Sequence, residues 1–306
     1  MKLRILLEAY EGATYDQTLA MARLSEDAGF DAFFRSDHYL GIQPDNPRFA
    51  PTDSLTTLAG LARDTGRIRL GTLVTASTFR LPGVLAISAA TVDAMSGGRL
   101  ELGLGAAWYA QEHERYGIPF PPIGERFDRL EEQLTIIRGL WTTPPGEAFS
   151  HEGQHYRLTE ARQFPRPAQI PHPPIIVGGG GPKRTPTLAA RFADEFNGGL
   201  GAGLAERFER FRRICEGTGR DPATVRLSAV LPVFCGTDPA EAARRAEAIG
   251  RPTLVEAGVC GGPDAVVDRL GEIAETGAET VYFHIFDAAD LDHVGLLGSE
   301  VLPRVR

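Results

Sequence analysis

The sequence is poor in cysteine, and its cysteines are not placed for a disulfide framework or a zinc site. Only three occur in 306 residues, widely spaced at Cys215, Cys235 and Cys260, and no two of them form a CxxC pair. An odd number of scattered cysteines makes structural disulfides and zinc unexpected. The seven histidines form no HxH pair, and no GxSxG is present. The one HExxH match, "HEGQH" at residues 151–155, lies in a segment without the helical period that a zinc-binding HExxH requires. These absences argue against a metal site and against a hydrolase with a nucleophile elbow.

Positive charge is also scarce, with 32 Lys and Arg against 40 Asp and Glu, a formal net charge of −8. Nucleic acids and anionic membranes select for basic surfaces, so we expect neither as a partner and expect a small-molecule substrate. Long hydrophobic runs are missing as well. Glu8 interrupts the first apolar run, which has no signal-peptide pattern, and no segment approaches the roughly 20 apolar residues of a membrane span. The prediction is a cytoplasmic protein.

Short β-type segments alternate with longer helical patterns along the chain. The eight predicted strands cover residues 3–7, 30–35, 68–77, 99–105, 174–178, 194–199, 224–236 and 279–287. Such alternation predicts a parallel sheet, and eight units in one chain of this length fit an α/β fold of the closed (β/α)8 TIM barrel type better than the alternative, an open doubly wound sheet. We expect one domain over 1–306. Residues 142–173, rich in proline and without a helical period, are predicted to form an insertion after the fourth helix, either a surface hairpin or a lid.

The stretch "RSDHYLG", residues 35–41, places an Asp and a His at the end of the second predicted strand. Catalytic groups of TIM barrels lie at the C-terminal ends of strands, so Asp37 and His38 are candidate catalytic residues, although a loop pair can also cap a helix. The stretch after the fourth strand also carries Gln111 and Glu112. The ends of strands 1, 4, 6 and 8 supply the candidate substrate-pocket residues Glu8, Trp108, Asn197 and His284.

The stretch "VGGGGPKRT", residues 177–185, places four glycines between a strand and a helix. Glycine lets backbone N–H groups approach an anion closely, and a helix N-terminus adds partial positive charge. The run has neither P-loop nor Rossmann spacing, and it can also be a flexible turn packed on the barrel. At the end of a barrel strand, we interpret Gly178, Gly179, Gly180 and Gly181 as a phosphate-binding loop of a cofactor or substrate.

Several of these stretches, in this order and spacing, resemble the bacterial luciferase-like monooxygenase superfamily. They are "SDHY", "LGTLVTASTFRLPGVLA", "MSGGRLELGLGAAW", "ERFDRLEEQLTIIRGLW" and "PPIIVGGGGPKRT". The resemblance covers about residues 1–200 and the later "GPDAVVDRL…GAETVYFHIF" segment. The length of the chain and "GRLELGLGAAWYAQEH" look like the branch that uses coenzyme F420, a 5-deazaflavin, rather than FMN.

The resemblance implies a flavin-like ring held at the C-terminal mouth of the barrel. Members often carry a non-prolyl cis peptide in strand 3 that supports one face of the ring, and it maps here to Leu73 and Val74. Asp37 and His38 match an Asp-His pair near the ring, and Thr75 matches a polar position beside the bulge. The four glycines match the loop that holds the cofactor phosphate. Many members are dimers, so a homodimer is expected.

One position departs from the family pattern. Sugar-phosphate dehydrogenases of the F420 branch have a Glu shortly after strand 4, and Trp108 stands at that position here. The lysines and arginine that bind the sugar phosphate in those enzymes have no assignable counterparts, which argues against sugar-phosphate oxidation. A Trp at the mouth suits an apolar or planar substrate.

The predicted activity is hydride transfer between F420 and a small organic substrate, with reduction of C=C or C=N. A deazaflavin has carbon in place of flavin N5, so it passes electrons as hydride, while the protein supplies position and electrostatics. His38 is predicted to donate the proton or to stabilise charge that develops on the ring, and its ordinary pKa of about 6.5 suits that role. Asp37 is predicted to orient His38 or to bond the cofactor. The alternatives are an FMN-dependent monooxygenase and a non-redox barrel enzyme that binds a substrate phosphate. A third is a flavin-binding or interaction protein without catalytic activity, against which the intact Asp-His pair and glycine loop argue.

Overall fold

The computed structural model describes residues 1–8, 12–41, 51–162 and 165–305. Its strands are β1 (Lys2–Leu7), β2 (Ala32–Arg35), β3 (Arg69–Thr72), β4 (Thr75–Ala76), β5 (Leu100–Gly105), β6 (Phe149–Glu152), β7 (Arg157–Ala161), β8 (Ile175–Gly178), β9 (Glu195–Asn197), β10 (Arg226–Cys235), β11 (Val259–Gly261) and β12 (Thr280–Ile285). Its α-helices are α1 (Tyr15–Ala28), α2 (Ser54–Asp64), α3 (Pro82–Ser96), α4 (Ala110–Tyr116), α5 (Ile123–Thr142), α6 (Arg184–Phe192), α7 (Leu204–Gly217), α8 (Pro239–Ile249), α9 (Pro252–Ala257), α10 (Pro263–Glu275), α11 (Leu291–Leu296) and α12 (Leu302–Val305). A 3₁₀ turn at Pro222–Thr224 and a π-helical turn at Leu297–Val301 are also present. Across these ranges, no helix has the length and apolar character needed to cross a membrane.

Eight parallel strands close into a barrel, which confirms the predicted fold. The ring runs β1, β2, β3, β5, β8, β9, β10 and β12. β12 pairs with β1 and completes the circle, with Lys2 opposite Thr280 and Leu7 opposite Ile285. Because an open sheet has two unpaired edges, this pairing rules out the doubly wound alternative. Two further short strands of the same sheet lie outside the ring: β4 continues β3 against β5, and β11, which the sequence pattern does not predict, pairs with the end of β10.

Local sequence sets the ends of the first helix and so the start of β2. Thr14 accepts a hydrogen bond from the backbone N–H of Gln17, and the Gln17 side chain accepts one from the backbone N–H of Thr14, a capping box. Gly29 ends α1 in the left-handed conformation, with φ of 92°, which residues with a Cβ rarely adopt. The chain then enters β2, whose end carries the Asp37–His38 pair.

The side chains inside the barrel form layers, because alternate residues of each strand point inward. On β1 the inward series is Arg4 and Leu6, and Glu8 continues it directly after the strand. The middle layer is an apolar cluster of Leu6, Ala32, Phe34, Leu73, Ile176, Val230 and Tyr282. Glu8 therefore lies one layer above this cluster, at the C-terminal mouth of the barrel.

A buried ion network forms the lowest layer, called here the barrel floor. Arg4 lies 2.7 Å from Glu101 and 3.6 Å from Glu195, and all three side chains are at most 1% exposed. Tyr282 Oη accepts a hydrogen bond from Arg4 at 2.8 Å and donates one to Glu195 at 2.7 Å. At the edge, Arg69 pairs with Glu101 and Arg226 lies 3.4 Å from Glu195. Together with the apolar layer above it, this network fills the N-terminal end of the barrel.

The predicted insertion contains an antiparallel hairpin, β6–β7, that is fastened to α5. The Glu132 carboxylate on α5 accepts hydrogen bonds from the backbone N–H groups of Gln154, His155 and Tyr156, at 2.8 to 3.2 Å. The ring of Phe149 occupies the space where a side chain at Gly139 would lie. These contacts favour the surface hairpin over the lid for residues 149–161. Residues 163 and 164 of the predicted insertion lie outside the described residues.

Candidate active site

His38 is paired with a carboxylate that the sequence prediction did not select. Its Nδ1 lies 3.1 and 3.2 Å from the two carboxylate oxygens of Glu112, in the first turn of α4, and the backbone N–H of Tyr39 donates to the same group at 3.0 Å. The Glu112 side chain is 1% exposed and that of His38 is 14% exposed. Burial by itself lowers the pKa of His38, but the Glu112 hydrogen bond and the charges of Glu8, Glu112 and Asp37 outweigh it and raise the pKa above 6.5. These contacts thus favour the protonated imidazole of His38.

Asp37 takes part in a different set of contacts. Its carboxylate accepts a hydrogen bond from the Thr75 hydroxyl. It also forms an ion pair with Arg80, whose guanidinium nitrogen lies 2.6 Å from the Asp37 oxygen. Arg80 also pairs with Asp53, the N-cap of α2. Burial raises the pKa of Asp53, but the backbone N–H of Thr56 and the Arg80 charge lower it to about 2. The structure therefore differs from the prediction that Asp37 orients His38: Asp37 ties the end of β2 to β4 and α2, and Glu112 holds the imidazole.

Trp108 lies at the rim of the mouth, beside His38. Its side chain is 62% exposed, its ring is stacked on Tyr109 at 5.1 Å, and it meets the imidazole of His38 edge-on at 5.6 Å. Arg126 on α5 holds the loop in place by donating to the carbonyls of Ala106 and Ala107, at 3.2 and 2.6 Å. Trp108 is therefore a fixed, exposed aromatic surface next to the paired histidine.

Glu8 and His284 form a second carboxylate–imidazole pair in the mouth. His284 Nε2 lies 2.7 Å from Glu8 Oε2, and each residue is 7% exposed. Burial raises the pKa of Glu8, but the hydrogen bond and charge of His284 and the charge of His38 lower it, so the carboxylate stays ionised. Their predicted place in the substrate pocket remains a prediction.

The glycine loop follows β8, across the ring from β1. Gly178 ends the strand, and Gly179 has φ of 143°, a conformation that favours glycine. In the described part of the chain, no hydrogen bond uses the backbone N–H of Gly179, Gly180 or Gly181. A side chain at Gly180 would meet no atom within 4 Å, so the loop leaves open space before the first turn of α6. Free N–H groups, open space and a helix N-terminus are what an anion requires.

A cis peptide bond follows β3. It joins Leu73 and Val74, the position that the family resemblance predicts. The Val74 side chain faces the inner glycines of two neighbouring strands: a Cβ at Gly105 or Gly178 would lie 2.8 or 3.2 Å from its methyl groups. Glycine on β5 and β8 therefore makes room for Val74 inside the barrel mouth.

The predicted site residues thus lie around one mouth, but their environments differ. Asn197 has its amide engaged on both sides, donating to Ser228 Oγ at 2.9 Å and accepting from the Gly199 N–H at 3.0 Å. Its predicted role in the substrate pocket remains a prediction. The residues missed as site members are Glu112 and Arg80, although both stand in quoted strand-end stretches. Among the residues that the structure describes, no group of three His, Cys, Asp or Glu side chains is placed to hold a metal ion.

Comparison with known proteins places this geometry in context. Residues 3–257 match the family model described as luciferase-like monooxygenase. A relative from Beutenbergia cavernae, named F420-dependent glucose-6-phosphate dehydrogenase, is 30% identical over 322 residues, covering 94% of this chain and 93% of the relative. A protein of the same name from Microbacterium testaceum is 38% identical over 182 residues, 59% of this chain. That match spans 52% of the relative, so the chain covers about half of its length. A solved F420-dependent secondary alcohol dehydrogenase, in complex with an F420-acetone adduct, superposes with a TM-score of 0.83 over 100% of this chain and 99% of that one, at 18% identity, and supports the fold.

Proposed function

Because the chain belongs to the luciferase-like monooxygenase family, we propose that it is a coenzyme F420-dependent oxidoreductase that transfers hydride between the deazaflavin and a small organic substrate. The observation that carries the proposal is the meeting, in one barrel mouth, of a glycine loop with free N–H groups and a partly buried imidazole paired with a buried carboxylate. The names of the relatives support the choice of F420. The direction we propose is reduction of a C=C or C=N bond.

The residues of the mouth fit such a cofactor. The open space at Gly180 and the unused N–H groups of Gly179, Gly180 and Gly181 suit a phosphate, and Lys183, two residues after Gly181, adds positive charge. The cis peptide and the Val74 side chain form a raised apolar surface beside that loop on the barrel interior, which suits one face of a planar ring. The site therefore combines an anion cradle with an apolar support.

When bound, F420 supplies a carbon that carries or accepts hydride. The chain's own residues supply the proton, hold the charged groups in place and contact the substrate. Glu112 binds Nδ1 of His38 and raises the pKa of the imidazole, which favours its protonated form, so we assign to His38 the proton that joins the substrate when hydride is transferred. Arg80 and Thr75 neutralise and hold Asp37, and Trp108 gives the entering substrate an aromatic surface.

The first test is cofactor binding, followed by quenching of tryptophan fluorescence with F420 and, separately, with FMN. The chain has two tryptophans, and only Trp108 is exposed, so a Trp108→Phe variant identifies the signal from the mouth. We expect tight binding of F420 alone. Tight binding of FMN alone would contradict the proposal and favour the monooxygenase alternative. Binding of neither would favour the non-redox enzyme, for which glucose 6-phosphate is a suitable phosphate ligand to titrate.

A Gly180→Val variant tests the phosphate loop. A side chain at Gly180 has room in the fold but fills the space before the free N–H groups, so we expect an unchanged melting temperature and at least about tenfold weaker F420 binding, a loss of about 1.4 kcal/mol. Gly217, at the end of α7, also has open space around it and is remote from the mouth in the fold. Gly217→Val is therefore the matched control, and equal cofactor affinity in both variants would remove the loop from the site.

We also propose that the protein is a homodimer, with α3 in the interface. Leu81, Val84 and Ile87 lie three residues apart, on one helix face, and are 65%, 55% and 44% exposed. An exposed apolar face of this kind supports contact with a second copy. We expect size-exclusion chromatography with light scattering to show a dimer for the wild type and a monomer for Val84→Asp. Ala243→Asp, at an exposed position of α8, should remain dimeric; a dimer that survives Val84→Asp would place the interface elsewhere.

A further inference from the structure

His113, the residue after Glu112, is a buried imidazole that the proposed chemistry does not use; its exposed fraction is 0%. Its Nδ1 lies 2.8 Å from the carbonyl oxygen of Tyr109, and its Nε2 lies 2.7 Å from the hydroxyl oxygen of Thr78. Because a carbonyl oxygen only accepts, the ring proton is on Nδ1, and Nε2 of the neutral ring accepts from the Thr78 hydroxyl. Both ring nitrogens are therefore paired, and the imidazole has one fixed orientation.

The surroundings of this ring favour its neutral form. Burial lowers the pKa of His113 below its ordinary 6.5 and outweighs the Tyr109 hydrogen bond and the Glu112 charge, which raise it. Two aromatic rings pack against the imidazole, Phe79 at 5.2 Å and Phe120 at 4.5 Å between ring centres. His113 is therefore a neutral, packed link between α4 and the chain after β4, and not a proton carrier.

The other side of this link is segment 77–80, directly after β4, which is itself held in place. Gln133 on α5 donates to the carbonyls of Ser77 and Arg80, at 2.6 and 2.9 Å. The Arg80 guanidinium pairs with Asp37, so the segment is tied to α5 and to the end of β2. In contrast, α4 has only seven residues and no side-chain cap at its N-terminus. Such a short helix takes its position from tertiary contacts.

We propose that His113 is a positioning residue that sets the rotation of α4 and thereby presents Glu112 to His38. Consecutive residues of an α-helix are about 100° apart around its axis, so fixing His113 on segment 77–80 also fixes the direction of Glu112. The Glu112 carboxylate is 1% exposed and lies 3.1 Å from Nδ1 of His38. The inference rests on the proposed oxidoreductase function for the role of His38, while the link from Thr78 to Glu112 concerns the chain alone.

The test measures the pKa of His38 by NMR titration of the whole 306-residue chain without F420, with His38→Gln to assign the resonance. His113→Phe keeps an aromatic ring between the two phenylalanines but removes both hydrogen bonds, and Thr78→Val removes the donor to Nε2. We expect each to lower the pKa of His38, because Glu112 is no longer held against it. The double variant should lower it no further than His113→Phe alone. His113→Gln supplies an acceptor for the Thr78 hydroxyl and should keep the wild-type pKa.

His293→Phe is the matched control. His293 is also a buried imidazole, 5% exposed, and its Nε2 accepts from the backbone N–H of Cys235 at 3.0 Å, but it lies on α11. Its replacement should leave the pKa of His38 at the wild-type value even where it lowers the melting temperature. F420 affinity should be retained in all of these variants, since none of them changes the glycine loop.

The outcomes separate this inference from the proposed function. If F420 does not bind but His113→Phe lowers the pKa of His38, the cofactor proposal fails and the positioning role stands. If F420 binds and neither His113→Phe nor Thr78→Val lowers this pKa, or His293→Phe lowers it equally, the positioning role is wrong. If His113→Phe does not fold, Thr78→Val decides alone.

Discussion

Replacing His38 by Ala is expected to slow hydride transfer about 10²–10⁴-fold, the usual contribution of a positioned general acid, while F420 binding stays close to that of the wild type. The reason is the separation of roles within the mouth. His38 is held by Glu112 beside Trp108, whereas the free N–H groups that suit the phosphate belong to the glycine loop after β8. The measurement is stopped-flow absorbance of the deazaflavin under single-turnover conditions, which separates chemistry from binding.

Two further variants sharpen this prediction. His151, on the hairpin, is a matched control and should leave the rate unchanged when replaced by Ala. Glu112→Gln removes the carboxylate that raises the pKa of His38, so the pKa should fall. If His38 donates the proton, activity is lost as the pH rises through that pKa, and the alkaline limb of the pH–rate profile should move to lower pH in Glu112→Gln. A rate in His38→Ala equal to that of the wild type, or an unmoved limb in Glu112→Gln, would remove this pair from the mechanism.

Replacing Glu101 by Gln is expected to destabilise the protein by about 3–5 kcal/mol, the range found when one partner of a buried ion pair is removed. Glu101 is 1% exposed and is shared by Arg4 and Arg69, so the variant leaves a fully buried guanidinium with less compensating charge. Urea unfolding monitored by circular dichroism measures the loss. Asp264→Asn, which breaks an exposed pair with Arg304, is the control and should cost no more than about 1 kcal/mol.

The double variant Arg4→Met with Glu101→Gln gives a second test of the floor. It removes the buried cation together with its partner, so stability should recover in part relative to Glu101→Gln alone.

The contribution of Glu101 to stability depends on pH in a defined direction. Burial raises the pKa of Glu101, but Arg4 and Arg69 outweigh it and hold the pKa below its ordinary 4.5. The contribution of Glu101 is therefore complete above that value and is lost as the pH falls below it. A cost in Glu101→Gln no larger than that of the control would show that the floor does not stabilise the barrel.

The barrel could be predicted from the sequence because its strands are short apolar runs separated by helical periodicity, a local pattern. All eight predicted barrel strands correspond to strands of the ring. The predicted third strand, 68–77, is divided in the structure by the cis peptide at Leu73–Val74, which the family resemblance locates but the strand pattern does not. β11 was missed because three residues carry no periodicity.

The pairing within the site was less predictable than its location. The strand-end rule placed His38 and Glu8 at the mouth, but it contains no information on which carboxylate meets which imidazole. Glu112 lies 74 positions after His38, in a seven-residue helix, and an acidic residue in the first turn of a helix is ordinary in any sequence. Asp37, adjacent in sequence to His38, is held by Arg80 instead. Adjacency along the chain was therefore a poor guide to contact, because each partner is contributed by a different strand or loop.

The filled barrel floor also determines the side from which molecules reach the interior of the barrel. Arg4, Glu101 and Glu195 close one end of the barrel, so cofactor and substrate share a single opening. We therefore expect both ligands to enter and leave on the same side of the sheet, and a ligand seated deeper in the mouth to leave only after one that lies above it.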